Sequence, residues 1–204
     1  MQKDQDGNSQ RGSSCRTYQI VYADPPWQFK VWSETEEQKG AEGHYDTLGM
    51  ATLRALPVPA ICAEDCVLLM WATFPLLESA LELGRAWGFE YKTVAFVWVK
   101  VNPDTGKPFF GLGYYTRANA ELVLLFTRGK PLKRMRRDVG QLVMTRVGPH
   151  SQKPAEVRER IVQLFGELPR VELFARSRPG FFPDEEYRGW DVFGNQVNGS
   201  IEWP

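Results

Sequence analysis

Long uninterrupted apolar runs are the feature that most constrains the fold of this chain. The segments Cys66–Trp71, Thr93–Val99 and Glu121–Thr127 show almost no alternation between apolar and polar residues. Strands buried on both faces have this pattern, whereas a strand with one solvated face alternates. Two segments with helical periodicity, Leu76–Trp87 and Ala155–Phe165, lie between and after these runs. The order predicts an α/β fold with a mainly parallel sheet that is covered by helices on both faces.

Three further segments complete the predicted framework. Strands are predicted at Tyr18–Ala23 and Val171–Phe174, and a short helix at Met50–Leu56. Residues 1–16 are polar and lack periodicity, so we expect a flexible tail there and a single domain over residues 17–204. With 43% hydrophobic residues, this length is enough for one substantial core.

Charge does not by itself indicate a nucleic-acid partner, because 25 basic residues balance 25 acidic ones. Any surface for phosphates must therefore be local. One concentrated basic segment, residues 128–137, is the obvious place for it, although most charge runs are solvated surface. We predict phosphate contacts from four of its side chains, Lys133, Arg134, Arg136 and Arg137.

Cysteine usage and hydropathy exclude several classes of protein. Cys15, Cys62 and Cys66 are too few and too unevenly spaced for a disulfide framework. Cys62 and Cys66 have no accompanying histidine, so buried thiols are predicted and no metal site. The sequence has no signal peptide and no apolar run long enough for a membrane. A soluble, cytoplasmic protein without a membrane partner is expected.

The tetrapeptide Asp24-Pro25-Pro26-Trp27 directly follows the first predicted strand. Proline cannot donate to a sheet ladder, so the diproline is expected to leave the sheet as a fixed loop. Pro25 also restricts Asp24 to an extended conformation. A loop at the carboxyl end of a strand is where open α/β sheets bind ligands. The alternative is a proline-rich turn with Trp27 as an ordinary core aromatic.

An acid, two rigid prolines and an indole suit a planar amino group. The exocyclic amine of a base is a poor nucleophile because its lone pair is delocalised into the ring. The Asp24 carboxylate and the Pro25 carbonyl, each accepting one N–H bond, would localise that lone pair toward an electrophilic methyl group. Trp27 would stack on the base, a contact worth about 1–3 kcal/mol. The tetrapeptide therefore predicts methyl transfer to such an amine.

The segment between the second and third long apolar runs is rich in glycine and aromatic residues. Gly106, Gly111 and Gly113 interrupt it, which is a weak signal for a phosphate loop and is explained equally well by turns. Its position between two buried strands places it at the active face or the opposite one. Arg117 follows the glycines and is predicted to contact substrate, as are Asn119 and Glu121.

Several short motifs together resemble the MT-A70 family of S-adenosylmethionine-dependent adenine-N6 methyltransferases. The resemblance covers roughly residues 18–198 and keeps the family's motif order. The motifs that carry it are Asp24-Pro25-Pro26-Trp27, Gly43–Leu48, Trp71-Ala72-Thr73, Trp98-Val99-Lys100, Gly111–Arg117, His150-Ser151-Gln152-Lys153-Pro154, Val171–Arg176 and Gly194-Asn195-Gln196. The resemblance implies a Rossmann-like class I methyltransferase sheet with permuted motif order.

The same resemblance implies a set of cofactor contacts. Lys153 would meet the carboxylate of S-adenosylmethionine, and Asp24 would serve both cofactor and catalysis. An ammonium near the start of the helix at residue 155 also adds to the positive end of the helix dipole. A simple helix start, with Ser151 as cap and Pro154 in the first turn, is compatible with this. The remaining implied contacts, to the ribose and adenine, come from Phe174, Arg176, Asn195 and Gln196.

The implied reaction is methyl transfer to adenine N6 in nucleic acid. Trp27 would hold the base, with Tyr45, Trp71 or Trp98 as a second wall. In a duplex the adenine must leave the stack to reach the pocket. Similarity to compact phage and bacterial members favours DNA over RNA.

Alternatives remain open at the level of sequence. They are adenine methylation of RNA, a non-catalytic nucleic-acid-binding subunit, and methylation of another planar amine such as cytosine N4. The chain has no separate target-recognition module, so loops 28–42 and 106–116 or a partner chain must supply sequence specificity. A homodimer or heterodimer is compatible with all of these.

Overall fold

Among the described residues, six of the seven strands run in one direction, and the fourth alone runs against them. The computed structural model describes residues 16–27, 48–148, 152–176 and 187–194, together with positions 197, 199, 201 and 203. The sheet order is β5-β3-β4-β2-β1-β6-β7. β4 pairs antiparallel with β2 and β3, and the remaining pairs are parallel. The strands are β1 (Tyr18–Ala23), β2 (Cys62–Ala72), β3 (Glu90–Val101), β4 (Glu121–Arg128), β5 (Leu142–Arg146), β6 (Arg170–Leu173) and β7 (Asp191–Phe193).

Four α-helices accompany the sheet. They are α1 (Met50–Ala55), α2 (Val58–Ile61), α3 (Leu77–Ala86) and α4 (Ala155–Phe165), and a 3-10 turn at Phe74–Leu76 leads into α3. Within the described ranges, none of the helices is long and apolar enough to cross a membrane.

The core has one cluster on each face of the sheet because successive side chains of a strand point to opposite faces. Val21 and Ala23 of β1 pack with residues of α1, α2 and α3. Ile20 and Tyr22 pack on the other face with the apolar side of α4. This arrangement confirms the predicted α/β fold with a mainly parallel, doubly covered sheet, which is a Rossmann-like arrangement.

The strongly patterned segments match their predictions best. The predicted bounds of β1 and α4 are those observed, and β2, β3 and β4 are longer than predicted. Three elements, α2, β5 and β7, were not predicted from the sequence. Each is five residues or shorter, and β5 alternates exposed and buried residues at the sheet margin, so none has a long apolar or periodic signal.

The prediction for the cysteines is confirmed, whereas most of the predicted N-terminal tail lies outside the described residues. Residues 1–15 of the predicted tail lie outside the described residues, whereas Arg16 is tied to Asp191 by an ion pair of 2.7 Å. Cys62 and Cys66 are buried free thiols, as predicted. Among the described residues, no group of three or more His, Cys, Asp or Glu side chains is placed to hold a metal ion.

The strand directions define one functional edge. β1, β2, β3 and β6 all end at this edge, here called the carboxyl edge, and β4 begins there. Asp24 therefore lies where parallel α/β sheets place their ligands. Because β4 runs the other way, its last residue, Arg128, lies at the opposite edge beside Cys66.

Close packing of α3 on the sheet gives a prediction about stability. A Cβ at Gly84 would overlap the ring of Phe126, which is fully buried in β4. We expect Gly84→Ala to lower the free energy of unfolding by about 1–3 kcal/mol, because overpacking outweighs the helix propensity of alanine. Urea denaturation of both proteins measures this. The matched control is Arg85→Ala on the exposed side of α3, and an unchanged midpoint for Gly84→Ala would contradict the packing.

Candidate active site

The diproline leaves the sheet as predicted. The amide N–H of Asp24 makes the last rung, to the Leu173 carbonyl at 3.4 Å. The Trp27 N–H donates to the Pro25 carbonyl at 2.8 Å, and the Leu48 N–H donates to the Pro26 carbonyl at 2.9 Å. These bonds fix the loop. Each carbonyl oxygen retains a second lone pair for a ligand, because a carbonyl oxygen has two.

Trp27 packs mainly as a core aromatic. The residue is 8% exposed and belongs to the cluster on the α1–α3 face. Its indole nitrogen is buried and has no hydrogen-bond partner among the described residues. The alternative interpretation of Trp27 therefore describes its packing, while stacking on a base remains a prediction.

Four side chains of alternating charge form a chain at the carboxyl edge. Lys153 Nζ lies 3.0 Å from Asp24 Oδ2 and 3.3 Å from Glu121 Oε2. Glu121 Oε1 accepts a bond of 2.6 Å from Lys100 Nζ. The four side chains are each 18% exposed or less. We call Asp24, Lys153, Glu121 and Lys100 the charge chain; it joins the ends of β1 and β3, the start of β4 and the approach to α4.

Mutual pairing keeps the centre of the charge chain ionised. Burial by itself would lower the pKa of Lys153, but the carboxylates of Asp24 and Glu121 outweigh it, and the pKa is raised. Burial would likewise raise the pKa of Glu121, yet Lys153 and Lys100 hold it below its ordinary value. Such charges persist in a core only when each has its partners.

Two buried tryptophans lie beneath the lysines. Lys153 Nζ is 5.4 Å from the ring centroid of Trp71, and Lys100 Nζ is 5.0 Å from that of Trp98. Trp71 is 1% exposed and Trp98 0%. Their indole N–H groups donate to Tyr22 Oη (2.5 Å) and Thr145 Oγ1 (2.7 Å). Both rings are buried, and each lies against a lysine through a cation–π contact. That they form a second wall for a base stays a prediction.

The end of β6 is held by a second buried ion pair. Both Nε and Nη2 of Arg158 in α4 donate to the carboxylate of Glu172 in β6. The Arg158 guanidinium also lies 4.7 Å from the ring centroid of Tyr187, whose hydroxyl donates to the Arg176 carbonyl at 2.6 Å. The pairing of Arg158 with Glu172 was not predicted from the sequence. An acid inside the buried run of β6 was the available signal, because such an acid requires a cation.

Phe174 adopts a conformation that is unusual for a residue with a side chain. Its φ is 64°, in the left-handed region, directly after β6. Such a residue costs about 1–3 kcal/mol and persists only where its surroundings fix it. The next residue supplies part of that constraint, since the Ala175 N–H donates to the Phe193 carbonyl at 2.9 Å and a Cβ at Gly194 would overlap Ala175. The predicted cofactor residues Phe174 and Arg176 thus follow β6 at the carboxyl edge.

Four of the predicted residues are outside the described part of the chain: Tyr45, Ser151, Asn195 and Gln196. Pro154 is the N-cap of α4 and not part of its first turn, so Lys153 immediately precedes the cap. Arg117 is exposed and donates from Nε to the Gly111 carbonyl (3.0 Å) and from Nη2 to the Phe110 carbonyl (3.2 Å). It therefore braces its own loop.

The basic segment, residues 128–137, starts at the opposite end of the sheet from Asp24. It follows β4, and β2 separates its start beside Cys66 from the carboxyl edge beside Ala72. Those six residues of strand correspond to about 20 Å. Arg136 is paired with the exposed Asp138 at 2.6 Å. The segment that carries Lys133, Arg134, Arg136 and Arg137 thus starts away from Asp24, and their predicted contacts with phosphates stay a prediction.

The charges of the charge chain can be compared with those of S-adenosylmethionine, the cofactor that the family resemblance implies. S-adenosylmethionine ends in an amino acid, which carries one ammonium and one carboxylate. Asp24 and Lys153 place one carboxylate and one ammonium 3.0 Å apart at the carboxyl edge. Each can exchange its partner for the opposite charge of the amino acid, and Glu121 keeps Lys153 ionised meanwhile. The residues present therefore fit the group.

Removal of the central carboxylate should destabilise the fold. We expect Glu121→Gln to lower the free energy of unfolding by about 3 kcal/mol at pH 7, since two buried lysines lose their shared anion. Because the folded-state pKa of Glu121 lies below its ordinary value of 4.5, its contribution is present above pH 4.5 and is lost as the pH falls below that. The difference between the two proteins should therefore narrow in acid.

Urea denaturation from pH 3.5 to pH 7 measures this difference. Glu90→Gln, which removes an exposed carboxylate paired with Lys92, is the control and should change stability by less than about 1 kcal/mol. A difference between wild type and Glu121→Gln that is constant with pH would contradict the assigned pairing.

Similarity to known proteins agrees with this site. A family model described as MT-A70 matches residues 18–196. The chain is 39% identical over 206 residues to the type II methyltransferase M.MunI of Mycoplasma sp, covering 93% of this chain and 82% of that protein. It is 27% identical over 187 residues to the human N(6)-adenosine-methyltransferase catalytic subunit METTL3, covering 89% and 28% of the two chains.

The human N(6)-adenine-specific methyltransferase METTL4 is 28% identical over 198 residues, with 89% of this chain and 38% of that protein covered. The chain thus spans less than two-fifths of these human relatives but most of the bacterial one. With the match over nearly the whole described fold, the chain belongs to the MT-A70 family of methyltransferases and is similar in extent to its compact bacterial members.

Proposed function

We propose that this chain transfers a methyl group from S-adenosylmethionine to the N6 amine of adenine in DNA. The observation that carries the proposal is the Asp24 carboxylate, which a rigid diproline loop holds at the carboxyl edge, 3.0 Å from the buried ammonium of Lys153. Similarity to a type II methyltransferase and to N(6)-adenine and N(6)-adenosine methyltransferases supports the base and the position methylated.

The reaction needs an oriented lone pair more than a strong base. Asp24 accepts one N–H of the adenine amine, and the second lone pair of the Pro25 carbonyl accepts the other. The amine lone pair then lies perpendicular to the ring and faces the methyl group, which the sulfonium of the cofactor supplies in electrophilic form. When N6 gains the methyl group it carries one proton too many, and Asp24 is the adjacent acceptor for it.

Lys153 and its neighbours maintain this geometry. Lys153 binds the cofactor carboxylate, and Glu121 and the Trp71 ring hold its ammonium in place. Phe174 and Arg176, with Asn195 and Gln196 by family resemblance, bind the nucleoside part. Asp24, 3.0 Å from Lys153, would accept from the cofactor ammonium as well as from the substrate amine.

The rival functions differ in what they require of the site. A non-catalytic nucleic-acid-binding subunit has no need for Asp24 and Lys153 in contact, and their pairing weighs against it. RNA methylation would use the same residues. DNA is preferred because the chain covers 82% of a type II methyltransferase but 28% of METTL3. The proposed reaction requires the compartment that holds the DNA, which we propose to be the cytoplasm.

Substitution of the catalytic carboxylate separates chemistry from folding. We expect Asp24→Ala to reduce methyl transfer at least about 100-fold, because the amine loses the acceptor that orients its lone pair. The fold and most cofactor binding should persist, since Lys153 keeps Glu121 as its partner. Calorimetric titration with S-adenosylmethionine and thermal unfolding check this. Asp138→Ala, an exposed acid at the opposite edge, is the control, and near wild-type transfer by Asp24→Ala would refute the assignment.

The substrate polymer is tested by direct assay. Labelled S-adenosylmethionine is offered with single-stranded DNA, duplex DNA or RNA, and the product nucleosides are separated. We expect N6-methyladenine from DNA. Methylation of RNA alone would replace the proposed polymer, and cofactor binding without any transfer would favour the accessory-subunit function.

A further inference from the structure

The loop between β3 and β4 is a braced hairpin. Residues 102–120, here called the arm, leave the carboxyl edge, with bridges between Val101 and Pro108 and between Gly111 and Ala118. Asn119 fastens its base, where its Oδ1 accepts from the Lys100 N–H at 3.0 Å and its Nδ2 donates to the Lys100 carbonyl at 2.9 Å. The bonds from Arg117 to the Gly111 and Phe110 carbonyls hold the tip. The arm is therefore preorganised.

The arm is rooted in the charge chain. Lys100 is the next-to-last residue of β3, just before the arm. Glu121 is the first residue of β4, just after the arm. The two are paired at 2.6 Å, so the base of the arm and the site beside Asp24 share side chains. The base of the arm therefore lies beside the charge chain.

The tip exposes large apolar groups that a soluble loop would otherwise bury. Phe110 is 60% exposed, Leu112 79% and Tyr115 102%. The turn is tight at Gly113, because a Cβ there would overlap the backbone at Thr116. Exposed apolar groups held outward on a rigid hairpin mark a contact surface.

The charge of the arm indicates what that surface contacts. The arm contains Lys107 and Arg117 and one acid, Asp104, which lies at its start and not at its tip. Aromatic side chains accept stacked bases of any sequence, and nearby cations neutralise the phosphates between them. This combination suits a nucleic-acid strand with unstacked bases.

We propose that the arm binds the DNA strand flanking the target adenine, with Phe110 and Tyr115 stacking on bases that lose a neighbour when the adenine leaves the duplex. This rests on the proposed function and adds a residue-level recognition surface to it. Lys107 and Arg117 contribute positive charge beside the strand. Leu112, between the two rings, fills space at the vacated base step.

The double variant Phe110→Ala/Tyr115→Ala tests the arm. Sheared genomic DNA serves as the methyl acceptor because it contains sites of every sequence. We expect the KM for DNA to rise about tenfold or more, while kcat at saturating DNA and the affinity for S-adenosylmethionine stay within about twofold. Phe110→Tyr/Tyr115→Phe, which keeps both rings, should retain the wild-type KM. Met135→Ala, which removes an exposed apolar side chain from the basic segment, should also leave it unchanged.

Three results would overturn the proposal. An unchanged KM in the alanine variant, with the wild type active on DNA, excludes the arm alone and leaves the proposed function intact. A wild-type dimer that the alanine variant converts to a monomer in sedimentation velocity would assign the arm to a second copy of the chain. A wild type that neither binds nor methylates DNA removes both the proposed function and the arm's partner.

Discussion

The ion pairs of Lys153 with Asp24 and Glu121 are the interaction on which the rest of the site depends. They join β1, β4 and the approach to α4, three elements that are distant in sequence. A buried ammonium is tolerated there because two carboxylates and an aromatic face surround it. The same contacts that stabilise the sheet therefore fix the carboxylate that we propose to orient the substrate amine. Stability and catalysis cannot be separated at Lys153, although they can be at Asp24.

The one antiparallel strand among the described residues, β4, determines which surfaces lie near the carboxyl edge. Because β4 runs against its neighbours, it starts at the carboxyl edge and delivers Glu121 to the site. It ends at the far edge and carries the basic segment about 20 Å from Asp24. The connection into β4 also leaves from the carboxyl edge, which places the base of the arm beside the charge chain. One reversal of strand direction thus brings an aromatic surface to the site and removes a charged one from it.

A buried ion pair supports the backbone at the end of β6, where we propose contacts with the cofactor. Arg158 and Glu172 pair between α4 and β6, and Tyr187 packs on the guanidinium while bonding the backbone of Arg176. They lie beside the end of β6, where the next residue, Phe174, has a left-handed φ of 64°. A Rossmann-like sheet positions its ligands at strand ends, and here rigidity at one such end comes from charged groups under the sheet.

The sequence by itself determined the elements whose pattern is local and long. The bounds of β1 and α4, the position of the diproline at a strand end and the doubly covered sheet all follow from apolar runs, helical periodicity and the chemistry of proline. Tertiary structure decided which groups meet: that Lys153 bonds Asp24 and Glu121, that Trp71 and Trp98 are buried beneath the lysines, and that the basic segment lies at the far edge. The physical reason is that periodicity reports which face of an element is buried, whereas partners and edges depend on strand order and direction. The reversal of β4 is set by long-range pairing, which no local pattern encodes.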